Sequence, residues 1–269
     1  MVSAGEIIIY DNILSHVVMT LIRSGISRIR VIDYDIVTLS SLNRHAFATR
    51  SDVGKLKVRV VKEYALKINP NLIIETIDDA FIAEYSDKYL LKDNPDYIVD
   101  CIDDLEAKCD LIKFCFDNKL ILISSMGAGA KSDPTCVRAT DFHLIQGDTL
   151  AKRLRYMYKK RFSSNIPNFK TIYSIEKSDK KLTDLEDHQK DNPEMYRINE
   201  NERIRSLPVF ASIPAIFGQA IAALVLTDLA KQPITFVKES ETSLVKDLTI
   251  GNILVKKLYD DYQLRDAKK

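Results

Sequence analysis

Two carboxylates and two cations lie close together in the stretch from Asp33 to Lys57. Asp33 and Asp35 directly follow the short run Ile29–Ile32, which predicts a buried parallel strand. In an open parallel sheet, ligands bind outside the carboxyl ends of the strands, where a carboxylate can accept hydrogen bonds from ribose hydroxyls. Arg44 and Lys57 are candidate phosphate-binding cations. Each residue alone also has a simpler interpretation, as a cap or as a solvated side chain.

Alternating strands and helices must position these residues. Short apolar runs predict five strands, at 5–10, 28–33, 73–77, 97–102 and 120–125. Helices are predicted between them, at about 13–23, 53–68 and 105–118. This alternation predicts an α/β fold, a Rossmann-like doubly wound and mainly parallel sheet with helices on both faces. Asp103 and Asp104 end the fourth strand, so we expect them at the same edge of the sheet as Asp33.

The rest of the chain is predicted to extend the same domain. Residues 136–140 predict a strand that leaves the sheet. Residues 234–237 and 252–255 predict strands of a C-terminal antiparallel edge, and 259–265 predict a short helix. The charged run at about 176–206 predicts a flexible crossover loop. We therefore predict a single domain over 1–269. The apolar segment 207–230 contains two prolines, a glutamine and an aspartate, which favours a core helix over a membrane span.

Composition excludes several kinds of site. Lys plus Arg total 39 and Asp plus Glu total 38, so no global basic field attracts nucleic acid. The four cysteines form no C-x-x-C pair, which argues against a zinc clip or a redox motif. They are interpreted as reduced thiols in a cytosol-like compartment.

One local stretch, 148–161, is strongly basic. At helical spacing its cations cover the surface while Leu150, Leu154 and Met157 point inward. Two interpretations stay open, a solvated helix face and a patch for the phosphate backbone of RNA. The candidate patch consists of Lys152, Arg153, Arg155, Lys159, Lys160 and Arg161.

The segment DYDIVTLSSLNRHAFATRSDVGKLK, residues 33–57, resembles the signature of the ubiquitin-activating-like (ThiF/MoeB-type) superfamily of adenylating enzymes. Three segments resemble the branch of tRNA threonylcarbamoyladenosine dehydratases: the motif SSLNRH within this signature, and the later segments SSMGAGAKSDPT and LPVFASIPAIFGQAIAALVL. The resemblance extends from about Ser15 to at least Leu226. It implies a homodimer that uses ATP and Mg²⁺.

The resemblance also implies roles for individual residues. Asp33 matches the carboxylate that binds the ribose of ATP, and Arg44 and Lys57 match the cations that hold its phosphates. Asp103 matches the carboxylate that helps to place ATP and Mg²⁺. Ser41 falls where other branches carry an asparagine that contacts the nucleotide. Arg44, Lys57 and Asp103 are accordingly the expected catalytic residues.

The implied reaction transfers AMP to the carboxylate of threonylcarbamoyladenosine in tRNA, beside the anticodon. An internal attack on the acyl-adenylate then closes a ring with net loss of water. The expected location is cytoplasmic; similarity to fungal relatives suggests the cytosolic face of the mitochondrial outer membrane as the alternative. In those relatives a membrane anchor lies in an N-terminal region for which we find no counterpart in this sequence.

Two departures from the family pattern keep alternatives open. The family has a glycine-rich turn, GxGGxG, after the first strand, where this chain has Ile9–Leu14 without glycine. The family also has a helical extension before the first strand, where the given sequence has about four residues. We therefore expect weak or absent MgATP binding. One alternative is a catalytically impaired relative that binds tRNA or a partner. The other is an activating enzyme for a ubiquitin-like or sulfur-carrier protein. Such enzymes hand the acyl group to a catalytic cysteine, and the absence of any cysteine after Leu144 argues against this alternative.

Overall fold

The structure is a computed structural model that describes residues 6–10, 14–82, 85, 87–177, 197–199, 202–203 and 209–236. Its main sheet contains seven strands: β1 (Glu6–Tyr10), β2 (Arg28–Ile32), β3 (Ile73–Ile77), β4 (Tyr97–Asp100), β5 (Leu122–Ser125), β6 (Val137–Asp141) and β7 (Lys170–Ser174). They are arranged in the order β3-β2-β1-β4-β5-β7-β6. Every neighbouring pair is parallel except β6 and β7, which are antiparallel. A separate antiparallel pair is formed by β8 (Arg197–Asn199) and β9 (Glu202–Arg203).

The described helices are α1 (Leu14–Arg23), α2 (Lys57–Ile68), α3 (Asp87–Leu90), α4 (Leu105–Asp117), α5 (Thr149–Phe162) and α6 (Ser212–Leu229). Parallel strands covered by helices on both faces carry continuous apolar runs. The strand β1 shows this, because Ile7, Ile8 and Ile9 are fully buried. The predicted Rossmann-like, mainly parallel sheet is confirmed.

Helix α6 is the one helix in the described part of the chain that is long and apolar enough to cross a membrane. It packs against α1 and against strands of the main sheet. Its residues Ile213, Phe217, Ile221 and Val225 are fully buried in this packing. Their spacing places them on one side of the helix, as in a core helix of a globular domain.

Some boundaries differ from those predicted. Helix α2 begins at Lys57 rather than near Val53, because Arg50–Asp52 forms a separate 3₁₀ turn and Gly54 has a φ of +91°. The strand predicted after residue 136 is β6. The strand β7 was not predicted at all. Residues 234–236 are not in a strand.

Several predictions fall outside the described residues. They concern positions 11–13 of the first turn, most of the 176–206 segment, and the elements proposed at 252–255 and 259–265.

Candidate functional site

The site is built where neighbouring parallel strands end. In the sheet register, Tyr10 of β1 lies between Ile32 of β2 and Asp100 of β4. The chain leaves β2 at Asp33 and leaves β4 toward Asp103. The carboxyl ends of these strands are therefore level, and the two carboxylates lie on either side of the end of β1, as the sequence predicts.

The carboxylate of Asp33 is almost fully buried, with only 4% of the residue exposed. Its Oδ1 accepts a hydrogen bond from the backbone N–H of Asp35 at 2.8 Å. Its Oδ2 is buried without a hydrogen-bond partner among the described residues. Burial raises the pKa of this carboxyl, and the nearby Lys57 ammonium opposes the rise. A buried carboxylate oxygen with an unmade hydrogen bond is costly, which marks a position suited to a ligand hydroxyl.

Lys57 lies beside this carboxylate at the first turn of α2, and it is 5% exposed. Its Nζ donates to Oδ2 of Asp35 at 2.5 Å and lies 3.8 Å from Oδ2 of Asp33. Its backbone N–H donates to the carbonyl of Asp35 at 2.9 Å. One buried ammonium group is thus fixed between two strand-end carboxylates, so the structure brings together the candidate cation Lys57 and the candidate carboxylate Asp33.

A short backbone ladder holds Lys57 in this place. Val37 donates its N–H to the carbonyl of Lys55, and Gly54 donates to the carbonyl of Val37, both at 2.8 Å. Ile36 and Leu56 form an antiparallel bridge next to these bonds. Gly54 occupies the left-handed region, which favours glycine, so the turn before α2 depends on that residue.

A buried carboxylate, Asp52, anchors the same turn. It accepts hydrogen bonds from the backbone N–H and the hydroxyl of Thr49, from the ammonium of Lys55 and from the hydroxyl of Tyr64. The Lys55 and Thr49 hydrogen bonds hold the pKa of Asp52 well below its usual range. Sequence reasoning missed this role of Asp52 in the turn.

Ser41, a predicted nucleotide contact, is buried inside its own 3₁₀ turn. Its hydroxyl donates to the carbonyl of Thr38 at 2.8 Å and accepts from the N–H of Thr38 at 2.9 Å. Thr38 in turn caps the turn through its side chain. The Ser41 hydroxyl is therefore committed to the backbone, and we leave this residue out of the proposed site.

Arg44 ends this 3₁₀ turn and is partly exposed. Its guanidinium donates to the carbonyl of Ser40 at 3.0 Å and to Oδ1 of Asn43 at 3.3 Å, both neutral and exposed acceptors. No carboxylate within the described residues pairs with it. Its charge therefore remains available to an anionic ligand, in line with the predicted phosphate role.

His45 adds a polar group that sequence reasoning mentioned but did not assign. Its Nδ1 accepts hydrogen bonds from the N–H groups of Phe47 and Ala48 at 3.2 and 3.0 Å. A neutral ring with this acceptor carries its proton on Nε2, which is buried without a partner among the described residues. Burial, reinforced by Lys57, lowers the pKa of His45 to about 4.

A fully buried ion pair, Lys108 with Asp100, supports the end of β4. Oδ2 of Asp100 accepts from Nζ of Lys108 and from the hydroxyl of Ser124, both at 2.6 Å. Oδ1 of Asp100 accepts from the N–H of Ile102 at 2.9 Å, which fixes the backbone that leads to Asp103. The sequence contains a signal for this pair that we did not use, because Lys108 falls on the apolar face of α4.

The two carboxylates after β4 have different roles. Asp104 caps α4 by accepting from the N–H of Ala107 at 2.8 Å. Asp103 is exposed, and its side chain has no partner among the described residues.

Mg²⁺ is commonly held by one or two carboxylates together with substrate phosphates, so a single free carboxylate beside Asp33 fits that ion. No group of three or more His, Cys, Asp or Glu side chains that could hold a metal occurs within the described residues.

The predicted RNA patch lies on α5, whose N-terminus is capped by Asp148. Two of its six cations are engaged within the protein. Arg155 donates to the carbonyls of Phe142 and Ile145, and Arg161 forms a bidentate pair with Asp110. The other four, Lys152, Arg153, Lys159 and Lys160, are exposed.

Comparisons with known proteins now place this chain in a family. The ThiF family model matches residues 15–250, which is most of the chain. The chain belongs to the ThiF family. This membership agrees with the strand-end carboxylates and cations described above.

Several similar proteins are named tRNA threonylcarbamoyladenosine dehydratases. The tRNA threonylcarbamoyladenosine dehydratase 2 of Saccharomyces cerevisiae is 36% identical over 240 residues, which cover 87% of this chain and 53% of that protein. This chain thus spans about half the length of that relative. The tRNA threonylcarbamoyladenosine dehydratase of Bacillus subtilis is 29% identical over 231 residues, 84% of each chain.

Solved structures of another ThiF protein share the fold. The Escherichia coli tRNA N6-threonylcarbamoyladenosine dehydratase in complex with ATP superposes with a TM-score of 0.70 and 24% identity, covering 85% of this chain and 86% of that one. The sheet and its covering helices therefore share the fold of that protein.

Proposed function

We propose that this chain uses ATP to adenylate the carboxylate of threonylcarbamoyladenosine in tRNA and to close that group into a ring. Two kinds of observation support the proposal. Relatives that are 36% and 29% identical are named for this dehydration. Within the site, the observation that carries it is the buried Oδ2 of Asp33, which has no hydrogen-bond partner among the described residues and lies 3.8 Å from the ammonium of Lys57.

Each residue has a physical role in this proposal. Asp33 offers its free oxygen to a ribose hydroxyl, which would replace a missing hydrogen bond. The cations Arg44 and Lys57 offset negative charge that develops on the phosphates. Asp103 would hold Mg²⁺, which when bound neutralises phosphate oxygens and orients them.

The chemistry activates a poor electrophile. A carboxylate oxygen of the substrate attacks the α-phosphorus of ATP, and pyrophosphate leaves. A nucleophilic atom within the same threonylcarbamoyl group then attacks the activated carbonyl carbon, loses its proton and expels AMP. The substrate has lost the elements of water, and ATP has become AMP and pyrophosphate.

The activating enzymes of carrier proteins hand the acyl group to a cysteine, and the thiols here do not favour that step. Cys101, Cys109 and Cys115 are buried. Burial, with a hydrogen bond to Asp133, raises the pKa of the Cys136 thiol, so little thiolate forms at neutral pH. A reductant-sensitive conjugate with a carrier protein on a gel would contradict the dehydratase proposal.

A second candidate function is binding of tRNA or a partner without catalysis, and the first turn favours it. Ile9–Leu14 contains no glycine, whereas phosphate binding at a helix N-terminus needs backbone N–H groups free of side chains. A carboxylate there, Asp11, would oppose a phosphate at about 4 Å by roughly 1–4 kcal/mol. We therefore expect weak MgATP binding, and the proposed enzyme would need millimolar ATP.

The test of the second candidate is isothermal titration with MgATP. No detectable binding favours the function without catalysis. Low-micromolar binding would contradict the expected effect of the glycine-free turn. If binding is absent, glycines introduced across Tyr10–Leu14 should restore part of it.

The test of the proposed enzyme uses tRNA that carries threonylcarbamoyladenosine, millimolar ATP and Mg²⁺. Mass spectrometry of the digested nucleosides should detect the cyclised product, and omission of ATP should abolish it. Arg44→Ala and Lys57→Ala should each lose most of the rate. Lys62→Ala is the matched control, because Lys62 is an exposed lysine on the same helix as Lys57.

A homodimer and a cytoplasmic location are further proposals. The family resemblance supports the first, and cysteines without a C-x-x-C pair, interpreted as reduced thiols, support the second. Light scattering of the purified protein tests the first, since a mass of one chain would contradict it. Cell fractionation tests the second, and recovery with mitochondrial membranes would favour the alternative location.

A further inference from the structure

One face of helix α5 is exposed and carries a regular pattern. Lys152, Arg153, Tyr156, Lys159 and Lys160 are all exposed, and 71% of Tyr156 is accessible. Residues three, four and seven positions apart lie on the same side of a helix. This spacing places Tyr156 between two pairs of cations. We call these five residues the α5 face.

The cations of the α5 face are not used by the protein itself. Within the described residues, none of the four side chains makes a hydrogen bond or an ion pair. The segment Thr149–Phe162 contains no Asp or Glu, so no acidic neighbour on the helix offsets their charge. Arg161 shows the contrast, because it pairs with Asp110 at 2.7 and 2.8 Å.

The opposite side of the same helix belongs to the core. Ala151, Leu154 and Tyr158 lie there, and at most 1% of each residue is exposed. An amphipathic helix that enters a membrane surface needs an exposed apolar face. Here the apolar face is already covered by protein, so the α5 face is suited to a charged and aromatic contact rather than to insertion into lipid.

Both ends of α5 are fixed to neighbouring elements of the domain. At its start, Asp148 accepts from Lys131, which lies in the segment after β5. In the same place, the side chain of Leu150 lies beside Gly127, 3.8 Å from the point where a Cβ of that residue would be. At its end, Arg161 is held by Asp110 of α4, the helix that begins directly after Asp103 and Asp104. The α5 helix is therefore fixed to α4 and to the segment after β5, both of which begin at the carboxyl edge of the sheet.

This combination has a specific chemical meaning. Unpaired cations attract a phosphate backbone without reading its sequence. An exposed aromatic ring among them offers a platform on which an unpaired base stacks, a contact that paired bases in a duplex do not make. Each side chain alone is ordinary at a protein surface; the aromatic ring between two cation pairs is not.

We propose that the α5 face binds an unpaired nucleotide of the RNA substrate, with a base stacked on Tyr156 and neighbouring phosphates on the four cations. The proposal rests on the proposed function, which requires a tRNA, and it names the contact that holds the RNA loop. It needs neither ATP nor the threonylcarbamoyl group.

Fluorescence anisotropy tests the proposal with two labelled RNAs, an unmodified stem-loop with unpaired loop bases and a fully paired duplex of equal length. Tyr156→Ala should weaken stem-loop binding about tenfold to a hundredfold and leave duplex binding unchanged. Tyr156→Phe, which keeps the ring, should bind like the unchanged protein. Tyr85→Ala is the matched control, since Tyr85 is exposed to 64% elsewhere.

The cations are tested by their salt dependence. Replacing Lys152, Arg153, Lys159 and Lys160 together by Gln should reduce the slope of log affinity against log salt by up to about 3, at about 0.7 per phosphate contact. All five residues are exposed, so we expect every variant to fold. Thermal unfolding of each variant checks that the fold is intact.

Three outcomes would overturn the proposal. The first is stem-loop binding that does not change in Tyr156→Ala. The second is an equal loss of affinity for both RNAs in Tyr156→Ala, which would mean that the α5 face binds RNA through charge without stacking a base. The third is equally tight binding to vesicles of phosphatidylserine and phosphatidylcholine that depends on the same residues, which would assign the face to a membrane. Absence of the cyclised product would contradict the proposed enzyme but not this RNA contact.

Discussion

Replacing Asp33 by asparagine separates the ligand role of this residue from any role in stability. Asparagine keeps Oδ1, so the hydrogen bond from the N–H of Asp35 at 2.8 Å is preserved. It removes the charge at Oδ2, which has no hydrogen-bond partner among the described residues and lies 3.8 Å from Lys57. Lys57 retains its shorter contact with Asp35 at 2.5 Å. We therefore expect the free variant to be at least as stable as the unchanged protein at pH 7.

The pH dependence follows from the raised pKa of Asp33. A carboxyl whose folded pKa is raised destabilises the native state when it is ionised, and this cost disappears as the pH falls through the folded pKa toward the usual value of 3.8. The stability advantage of Asp33→Asn should therefore be largest near neutral pH and should shrink on acidification.

Nucleotide binding should change in the opposite direction. A charge-assisted hydrogen bond is worth about 1.5–3 kcal/mol, so its loss should weaken binding about 10- to 150-fold. At a MgATP concentration ten times the Kd of the unchanged protein, bound nucleotide adds about 1.4 kcal/mol of stability. With tenfold weaker binding, the variant gains only about 0.4 kcal/mol at that concentration.

Thermal unfolding with and without MgATP measures both effects. Asp78→Asn is the matched control, because Asp78 follows β3 as Asp33 follows β2 but is exposed, with Arg59 at 3.9 Å. The reasoning is refuted if Asp33→Asn keeps the full nucleotide-dependent stabilisation. A loss of several kcal/mol in the free variant would equally refute it, since Asp33 would then be structural.

Other predictions concern the groups around the site. Lys108→Met should lower the free energy of unfolding by about 3–5 kcal/mol in urea titrations, because it leaves Asp100 buried without its cation, and adding Asp100→Asn should recover part of the loss. Asp52→Asn should destabilise the protein at pH 7, and the difference should vanish as the pH falls well below 3.8, because the low folded pKa of Asp52 contributes stability only while it is ionised. NMR titration should show that the His45 ring stays neutral down to about pH 4 in the folded protein. Since an unfolded histidine is protonated below its usual pKa of 6.5, the protein should lose stability as the pH falls from 6.5 to about 4. Arg44→Ala should leave the melting temperature unchanged while lowering kcat/KM about 10- to 150-fold, since its protein contacts are exposed and its proposed phosphate contact is charge-assisted.

The sequence was sufficient to predict the first half of the sheet and its strand-end carboxylates. Runs such as Ile29–Ile32 are short, apolar and separated by helices of regular spacing, so local pattern and global fold agree. The placement of Asp33 and Asp103 at one edge then follows from parallel topology alone. Lys57 was predicted from family resemblance, and the structure adds that it lies between two carboxylates.

The strand β7 was missed because its sequence, Lys170–Ser174, is short and begins and ends with polar residues. Its pairing with β5 and β6 is set by tertiary contacts rather than by a local pattern. Buried charges were missed for a related reason. The burial of Arg30 within β2 was not predicted, yet this residue is 1% exposed and is held by Glu75 and by the carbonyl of Tyr89. Partners so distant in sequence leave no local signal.

The most direct test of the central claim is the mass of the nucleoside formed from threonylcarbamoyladenosine in tRNA. The protein, millimolar ATP, Mg²⁺ and modified tRNA are incubated together, and the nucleosides are then separated and weighed by mass spectrometry. We predict a product lighter by one water molecule, formed with ATP and not without it, and strongly reduced in Arg44→Ala. Unchanged threonylcarbamoyladenosine, while the Escherichia coli enzyme converts the same tRNA, would contradict the claim that this chain is a dehydratase.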